Sequence, residues 1–397
     1  MKTTKRKICL RLLSFILLIV LCLGFSTFAE EKAPTDEETI PPEEGTLNLS
    51  CKSAILMEAT TGTILYLQNP DEALPPASVT KIMTLLLVME AVDGGTLRLD
   101  DRITVSSNAA SMGGSQVFLE EGEQLSLDEM LKCVVIASAN DAAVALAEHV
   151  AGSVDAFVIR MNEKAKALGM KNTHFENVTG LDDTATTHLT SARDIAIMSR
   201  ELLLHPTILQ YSSIWMDSIR NGTFGLSNTN RLVRFYRGCT GLKTGSTSKA
   251  GFCVSATAQR DGLSLICVIM GAESGDKRTA AATSLLDWGF ANYALFTEEA
   301  SSAGEIKVMG GNETSCTLIK NEFKKVVPKQ ALKSIQKEID LPSTLVAPLQ
   351  AGDIVGTVRY IHDGKIIGTV PLCCENSVYR INFFEIFYRM LAKFLLI

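Results

Sequence analysis

The stretch Pro75-Pro76-Ala77-Ser78-Val79-Thr80-Lys81 opens an apolar, helix-patterned run over residues 78–92. Proline, then a small residue, then such a run places Ser78 at a helix start. Lys81 follows three residues later, so its side chain projects from the same face, one turn away. A serine hydroxyl is a poor nucleophile until a base takes its proton, and a lysine made neutral by burial can take it. The pair alone decides little. Ser-x-x-Lys recurs at Ser246/Lys249, Ser274/Lys277 and Ser334/Lys337, and an ordinary surface placement accounts for a lone match.

Two more polar clusters follow in the chain. Ser138-Ala139-Asn140 lies in the break between two apolar helical stripes, where serine, asparagine and aspartate are also good helix caps. The spacing Ser-x-Asn recurs at Ser106/Asn108. Gly241-Leu242-Lys243-Thr244-Gly245 enters a strand region and contains the chain's one Lys-Thr-Gly. Lysine and threonine supply a cation and a hydroxyl donor for a carboxylate, and glycine lets a ligand backbone approach the strand edge closely. An ordinary exposed strand is the alternative.

Outward from these clusters, residues 49–297 read as one α/β unit. Ala54-Ile-Leu-Met-Glu-Ala59 and Thr63-Ile-Leu-Tyr-Leu-Gln68 flank Thr61-Gly62 as a hairpin. Ser126 and Glu129 form a capping box ahead of the stripe Leu127, Met130, Leu131, Val134 and Val135. Helices are also expected at 141–150, at 155–168 before Gly169, at 191–204 before Pro206 and at 278–295. Residues 251–259 and 263–270 flank Asp261-Gly262, a strong hairpin signal. First and last strands are expected in one antiparallel sheet. Residues 300–375, with short strand-like runs and an Asp363-Gly364 turn, read as a small all-β domain.

Composition narrows the function classes. At 397 residues, 46% hydrophobic and 21% charged, the chain is globular rather than disordered, collagen-like or coiled-coil. Its net charge is −6, and residues 1–29 hold five cations and no anion, so the remainder is more acidic still. That balance repels phosphate backbones and argues against nucleic acid as a partner. The eight cysteines beyond residue 29 have no CxxC or framework spacing, and the five histidines no HxxH or HExxH spacing, so neither disulfides nor a metal site is proposed.

Both ends are informative. A basic start, an apolar run over 12–25 and Thr27-Phe28-Ala29 make residues 1–29 a secretory signal, with a retained membrane anchor as the alternative. Residues 30–48 are an acidic, proline-bearing linker. In the last segment, 376–397, Asn382, Glu385, Arg389 and Lys393 fall on one side of a helix whose broad remaining face is rich in Phe and Leu. Charges at that spacing suit a helix lying in the headgroup plane, so this segment is expected to attach the protein to a membrane surface; a helix packed on its own domain is the alternative.

The three clusters in this order, each in its required context, form the set used by penicillin-binding proteins and class A β-lactamases. The sequence resembles the low-molecular-mass penicillin-binding proteins that act as serine D-alanyl-D-alanine carboxypeptidases. Pro76-Ala-Ser-Val-Thr-Lys81, Ile136-Ala-Ser-Ala-Asn-Asp141 and Gly241-Leu-Lys-Thr-Gly245 followed by Ala250-Gly251 are similar to its motif blocks, as are Ala192-Arg-Asp194 and Leu285-Leu-Asp-Trp-Gly-Phe290. It departs at Ala139, where glycine is usual, at Thr240, where an acidic residue is usual, and at Ser246, where bulkier residues are common.

The resemblance implies a transpeptidase/β-lactamase-like domain of α/β (α+β) class, with an antiparallel sheet, a helical subdomain and a small C-terminal all-β domain. It implies Ser78 as nucleophile, Lys81 as base, Ser138 as proton relay and Asn140 as orienting group. Backbone N–H groups of Ser78 and Ser246 would form the oxyanion hole, and Lys243, Thr244, Gly245 and Arg278 would hold the substrate. Peptidoglycan stem peptides are the implied substrate, β-lactams the inhibitors, and no cofactor is implied. The extra β domain, the tail and the lack of the expected glutamate loop pattern over 175–181 count against a β-lactamase, and the intact motifs count against a non-catalytic peptidoglycan-binding protein.

Overall fold

Near-continuous apolar runs such as 54–57 and 265–270 make strands buried on both faces, and the central sheet has five strands. They are β1 (Ser53–Glu58), β2 (Ile64–Gln68), β3 (Cys239–Thr247), β4 (Gly251–Arg260) and β5 (Leu263–Ala272). The computed structural model describes residues 47–182 and 185–394. The expected signal segment, 1–29, and all but the last two residues of the expected linker, 30–48, lie outside the described residues. The sheet order is β2-β1-β5-β4-β3, antiparallel throughout, so the first and last strands do share one sheet. Asp261 (φ +49°) and Gly262 (φ +80°) close the β4–β5 hairpin, both left-handed as a tight hairpin turn requires.

Side chains alternate between two cores. Ile55, Met57, Ile64 and Val268 face a large helical subdomain, while Ala54, Leu56, Leu65 and Cys267 face the opposite side. The subdomain contains α1 (Lys81–Asp93), α2 (Leu127–Val135), α3 (Asn140–Ala151), α4 (Val154–Ala167) and α5 (Ala192–Leu203). Ser126 and Glu129 form the expected reciprocal cap on α2, and the whole expected stripe of α2 is buried. The other sheet face is covered by α6 (Gly275–Asn292) through Ala281, Ala282, Leu285 and Leu286.

Two differences from the sequence reading have clear causes. The helix expected over 278–295 starts three residues earlier because Ser274 caps it, its hydroxyl accepting from Lys277 N. It stops at Asn292 because Tyr293–Glu298 (β6) pairs antiparallel with Phe323–Pro328, and Tyr293 and Val326 join the core under α6. A hairpin of Met216–Ile219 and Phe224–Ser227 also appears where no strand was expected. Four residues per strand are too few to reveal alternation.

Six further strands build a sheet over residues 301–374, with separate small cores around Leu318 and around Tyr360. The eight cysteines among the described residues are free thiols. The terminal helix α7 (Phe383–Phe394) begins with Asn382 and Glu385 exchanging backbone and side-chain hydrogen bonds. Its ring-bearing side chains are exposed, Phe384 at 81%. Among the described residues no single helix is long and apolar enough to cross a membrane.

Candidate active site

The site lies where the start of α1, the start of α3 and the edge strand β3 converge. A one-turn 3-10 helix, Ala77–Thr80, precedes α1, so Ser78 sits in a tight turn with its side chain half-buried. Ala77 has φ +49°, a left-handed conformation that disfavours residues with a Cβ. Lys81 is fully buried as the first residue of α1. Its Nζ lies 3.0 Å from Ser78 Oγ, 2.6 Å from Asn140 Oδ1 and 3.0 Å from the carbonyl oxygen of Thr179. Burial, then repulsion from Lys243, drives its pKa well below the ordinary lysine value, against a smaller pull from Asp141.

Asn140 is held from both ends, since its Nδ2 donates to Gly113 O at 2.7 Å and its backbone N–H to Ser115 O. The next residue, Asp141, is buried and accepts from the N–H groups of Val117 and Leu119. Together they fasten the 113–119 loop over α3. Ser138, at φ +62°, is buried two residues before Asn140. Helix capping does not explain this cluster: the residue at the cap position is Ala139, and it makes no side-chain cap bond.

Lys243, Thr244 and Gly245 are buried on β3, and Ser246 after them is exposed. Thr244 Oγ1 donates to Thr229 Oγ1 at 2.7 Å. Burial and then the Arg278 charge bring the Lys243 pKa down to about 7. Arg278 projects from α6, nearly buried, with its guanidinium over the Phe252 ring. Two cations beside one strand edge make a site suited to a carboxylate. Gly245 has a purpose the sequence reading placed elsewhere: a Cβ there would lie 2.7 Å from Ser78 N and 2.9 Å from Pro76 O. The close approach is between β3 and the Ser78 turn itself.

The recurring short matches perform structural tasks. Ser274 caps α6, and Ser106 caps a short helix while Ser106 and Asn108 both bind the Glu148 carboxylate. Lys249 donates to Asp182 O, and Ser334 to Ala331 O. What sets Ser78/Lys81 apart is that its lysine bonds both its own serine and Asn140 of the second cluster.

The sequence reading missed the segment that completes the lysine cage. Asn177 Oδ1 accepts from the N–H groups of Thr179 and Gly180, a side-chain-closed turn that aims Thr179 O at Lys81. The signal was present as Asn-x-Thr-Gly, but it specifies only a turn. Glu176, the one glutamate of the 175–181 segment, accepts from the Thr186 and Thr187 backbone N–H groups and the Thr187 hydroxyl. Its carboxylate braces its own loop. Among the described residues no group of His, Cys, Asp and Glu is arranged to hold a metal ion.

A family profile described as D-alanyl-D-alanine carboxypeptidase matches residues 38–274, and one described as penicillin-binding protein 5, C-terminal domain, matches 292–380. The chain belongs to the D-alanyl-D-alanine carboxypeptidase family. D-alanyl-D-alanine carboxypeptidase DacF of Bacillus subtilis is 39% identical over 391 residues, 96% of this chain and 98% of that one. Among solved structures, penicillin binding protein 5 from Haemophilus influenzae aligns with a TM-score of 0.73 at 32% identity, over 84% of this chain and 99% of that chain. Penicillin binding protein 6B from Escherichia coli aligns at 0.68 and 32%, over 83% and 96%. Family membership accounts for the architecture: an antiparallel sheet, a helical subdomain and an appended β domain.

Proposed function

We propose that this chain removes the terminal D-alanine from peptidoglycan stem peptides through an acyl-enzyme on Ser78. The chain is a serine-type D-Ala-D-Ala carboxypeptidase of the penicillin-binding kind, a hydrolase that acts outside the cytoplasm on the cell wall. The observation that carries the mechanism is the cage around Lys81 Nζ. A neutral amine has two N–H bonds and one lone pair, and Asn140 Oδ1 and Thr179 O are acceptors without a hydrogen to give. The two N–H bonds go to those oxygens, so the lone pair is left for the Ser78 hydroxyl proton.

Ser78 Oγ attacks the carbonyl carbon of the D-Ala-D-Ala bond while its proton passes to Lys81. The N–H groups of Ser78 and Ser246 receive the oxyanion. Collapse breaks the C–N bond, Ser138 gives its hydroxyl proton to the departing amine and takes the one held by Lys81, which is neutral again, and D-alanine leaves. Lys243, Thr244 and Arg278 hold its carboxylate through the step. Water then attacks the ester, gives its proton to Lys81, and Ser78 Oγ departs and is reprotonated. A β-lactam acylates the same oxygen. With Glu176 engaged by Thr186 and Thr187, the acyl group it leaves is hydrolysed slowly.

Ser78→Ala is expected to abolish both release of D-alanine from a pentapeptide ending in D-Ala-D-Ala and covalent labelling by a fluorescent penicillin. Labelling retained in that variant overturns the assignment, and rapid turnover of penicillin by the purified protein makes it a β-lactamase instead.

Export through residues 1–29 and attachment through the tail complete the reading. Support for attachment comes from α7: Phe383, Phe384, Phe387, Tyr388, Met390 and Phe394 are exposed, and Arg389 is drawn to the Gly311 and Asn312 carbonyls. So much ring surface on an exposed helix favours an interfacial position.

A further inference from the structure

We propose that His188, which belongs to no catalytic cluster, is a positioning residue that joins the Ser78 turn to the loop completing the Lys81 cage. This rests on the acyl-enzyme reading of the site. His188 is buried, and both ring nitrogens are engaged. Nδ1 accepts from the backbone N–H of Glu176 at 3.0 Å, so that nitrogen carries no proton. On the other side Nε2 lies 2.8 Å from Thr80 Oγ1. The Thr80 hydroxyl has one hydrogen, and it goes to Ala77 O at 2.9 Å. Nε2 must therefore be the donor, which fixes the neutral Nε2–H tautomer.

The two bonds reach the two halves of the reacting pair. Through Thr80, His188 fixes the carbonyl of Ala77, the left-handed residue immediately before the nucleophile. Through Glu176 N it fixes the first residue of the 176–180 turn, which delivers Thr179 O to Lys81. The halves also touch directly, because a Cβ on Gly180 would stand 1.8 Å from Ala77 O. Left-handed backbone at a residue with a Cβ persists only where its surroundings over-determine it, and here the imidazole is the link between both walls. Phe175 packs edge-on against the ring at 5.6 Å. Burial holds the imidazole neutral down to about pH 4, with Glu176 and Asp182 pulling the other way and His174 reinforcing it. Across the working pH range the ring thus keeps the tautomer the two bonds need.

The test uses the full-length protein and two substitutions. His188→Leu removes both bonds, whereas His188→Gln keeps an acceptor for Glu176 N–H and a donor for Thr80. A misplaced nucleophile or base slows chemistry without preventing it, so the His188→Leu variant is expected to acylate with fluorescent penicillin roughly 10- to 100-fold more slowly. Its final adduct stays at one per chain, and the concentration giving half-maximal rate is little changed. The His188→Gln variant is expected to recover most of the lost rate. Wild-type acylation rate in the His188→Leu variant, or a His188→Gln variant as slow as an equally folded His188→Leu variant, overturns the positioning role. If His188→Leu does not fold, the His188→Gln rate against wild type decides. Failure of the wild-type protein itself to form an adduct overturns the acyl-enzyme reading and this role with it.

Discussion

At the scale of single residues, the site depends on keeping two lysines buried. Lys243 loses its proton at about pH 7 in the folded chain, whereas an unfolded lysine keeps it to about 10.4. Between these values the unfolded state binds more protons, so stability must rise with pH across that window. Lys81 is depressed in the same direction and adds to the rise. Urea titrations stepped from pH 7 to 10 are expected to show the rise, and Lys243→Met should flatten it; an equal slope in the variant contradicts the buried charge. On the proposed mechanism the sign for catalysis is the same, since acylation would need Lys81 neutral. Lys81→Met should lower the acylation rate by about 10²- to 10⁴-fold, the usual contribution of a positioned base.

At the scale of elements, two glycines set how closely backbone segments approach. A Cβ on Gly245 meets only backbone atoms, Ser78 N, Pro76 O and Val79 N, none of which can swing aside. Gly245→Ala should displace the Ser78 turn from β3 and slow acylation about 10- to 100-fold while the fold persists. A wild-type acylation rate would show that the turn relaxes without consequence. Gly180→Ala combines a collision with Ala77 O and a φ of +82°. It should destabilise the chain by more than about 1 kcal/mol in chemical denaturation.

At the scale of the molecule, α7 leaves most of its apolar side chains exposed. If α7 lies on a membrane, each fully buried Phe contributes about 1.5–3 kcal/mol. Replacing Phe384 and Phe387 together by Glu should weaken sedimentation with lipid vesicles by about 10²-fold or more, with D-alanine release from a soluble pentapeptide unchanged. Equal sedimentation of variant and wild type would return α7 to the alternative of a helix packed on its own domain.

Local signals were legible wherever neighbouring residues carry them. The Ser126/Glu129 cap, the Asp261-Gly262 turn, the period-3.6 stripe of α2 and the apolar runs of β1 and β5 each depend on residues within a turn or two, and each stands as read. The three polar clusters were legible too, but only as a set, because each alone is also an ordinary cap or strand. Tertiary structure decided the rest. Which Ser-x-x-Lys is meaningful, where α6 ends, why residue 245 must be glycine and what faces Lys81 from Thr179 are all fixed by partners distant in the chain. His188 is the plainest instance. Its environment comes from Thr80, 108 residues earlier, and only folding brings that hydroxyl within bonding distance of the ring.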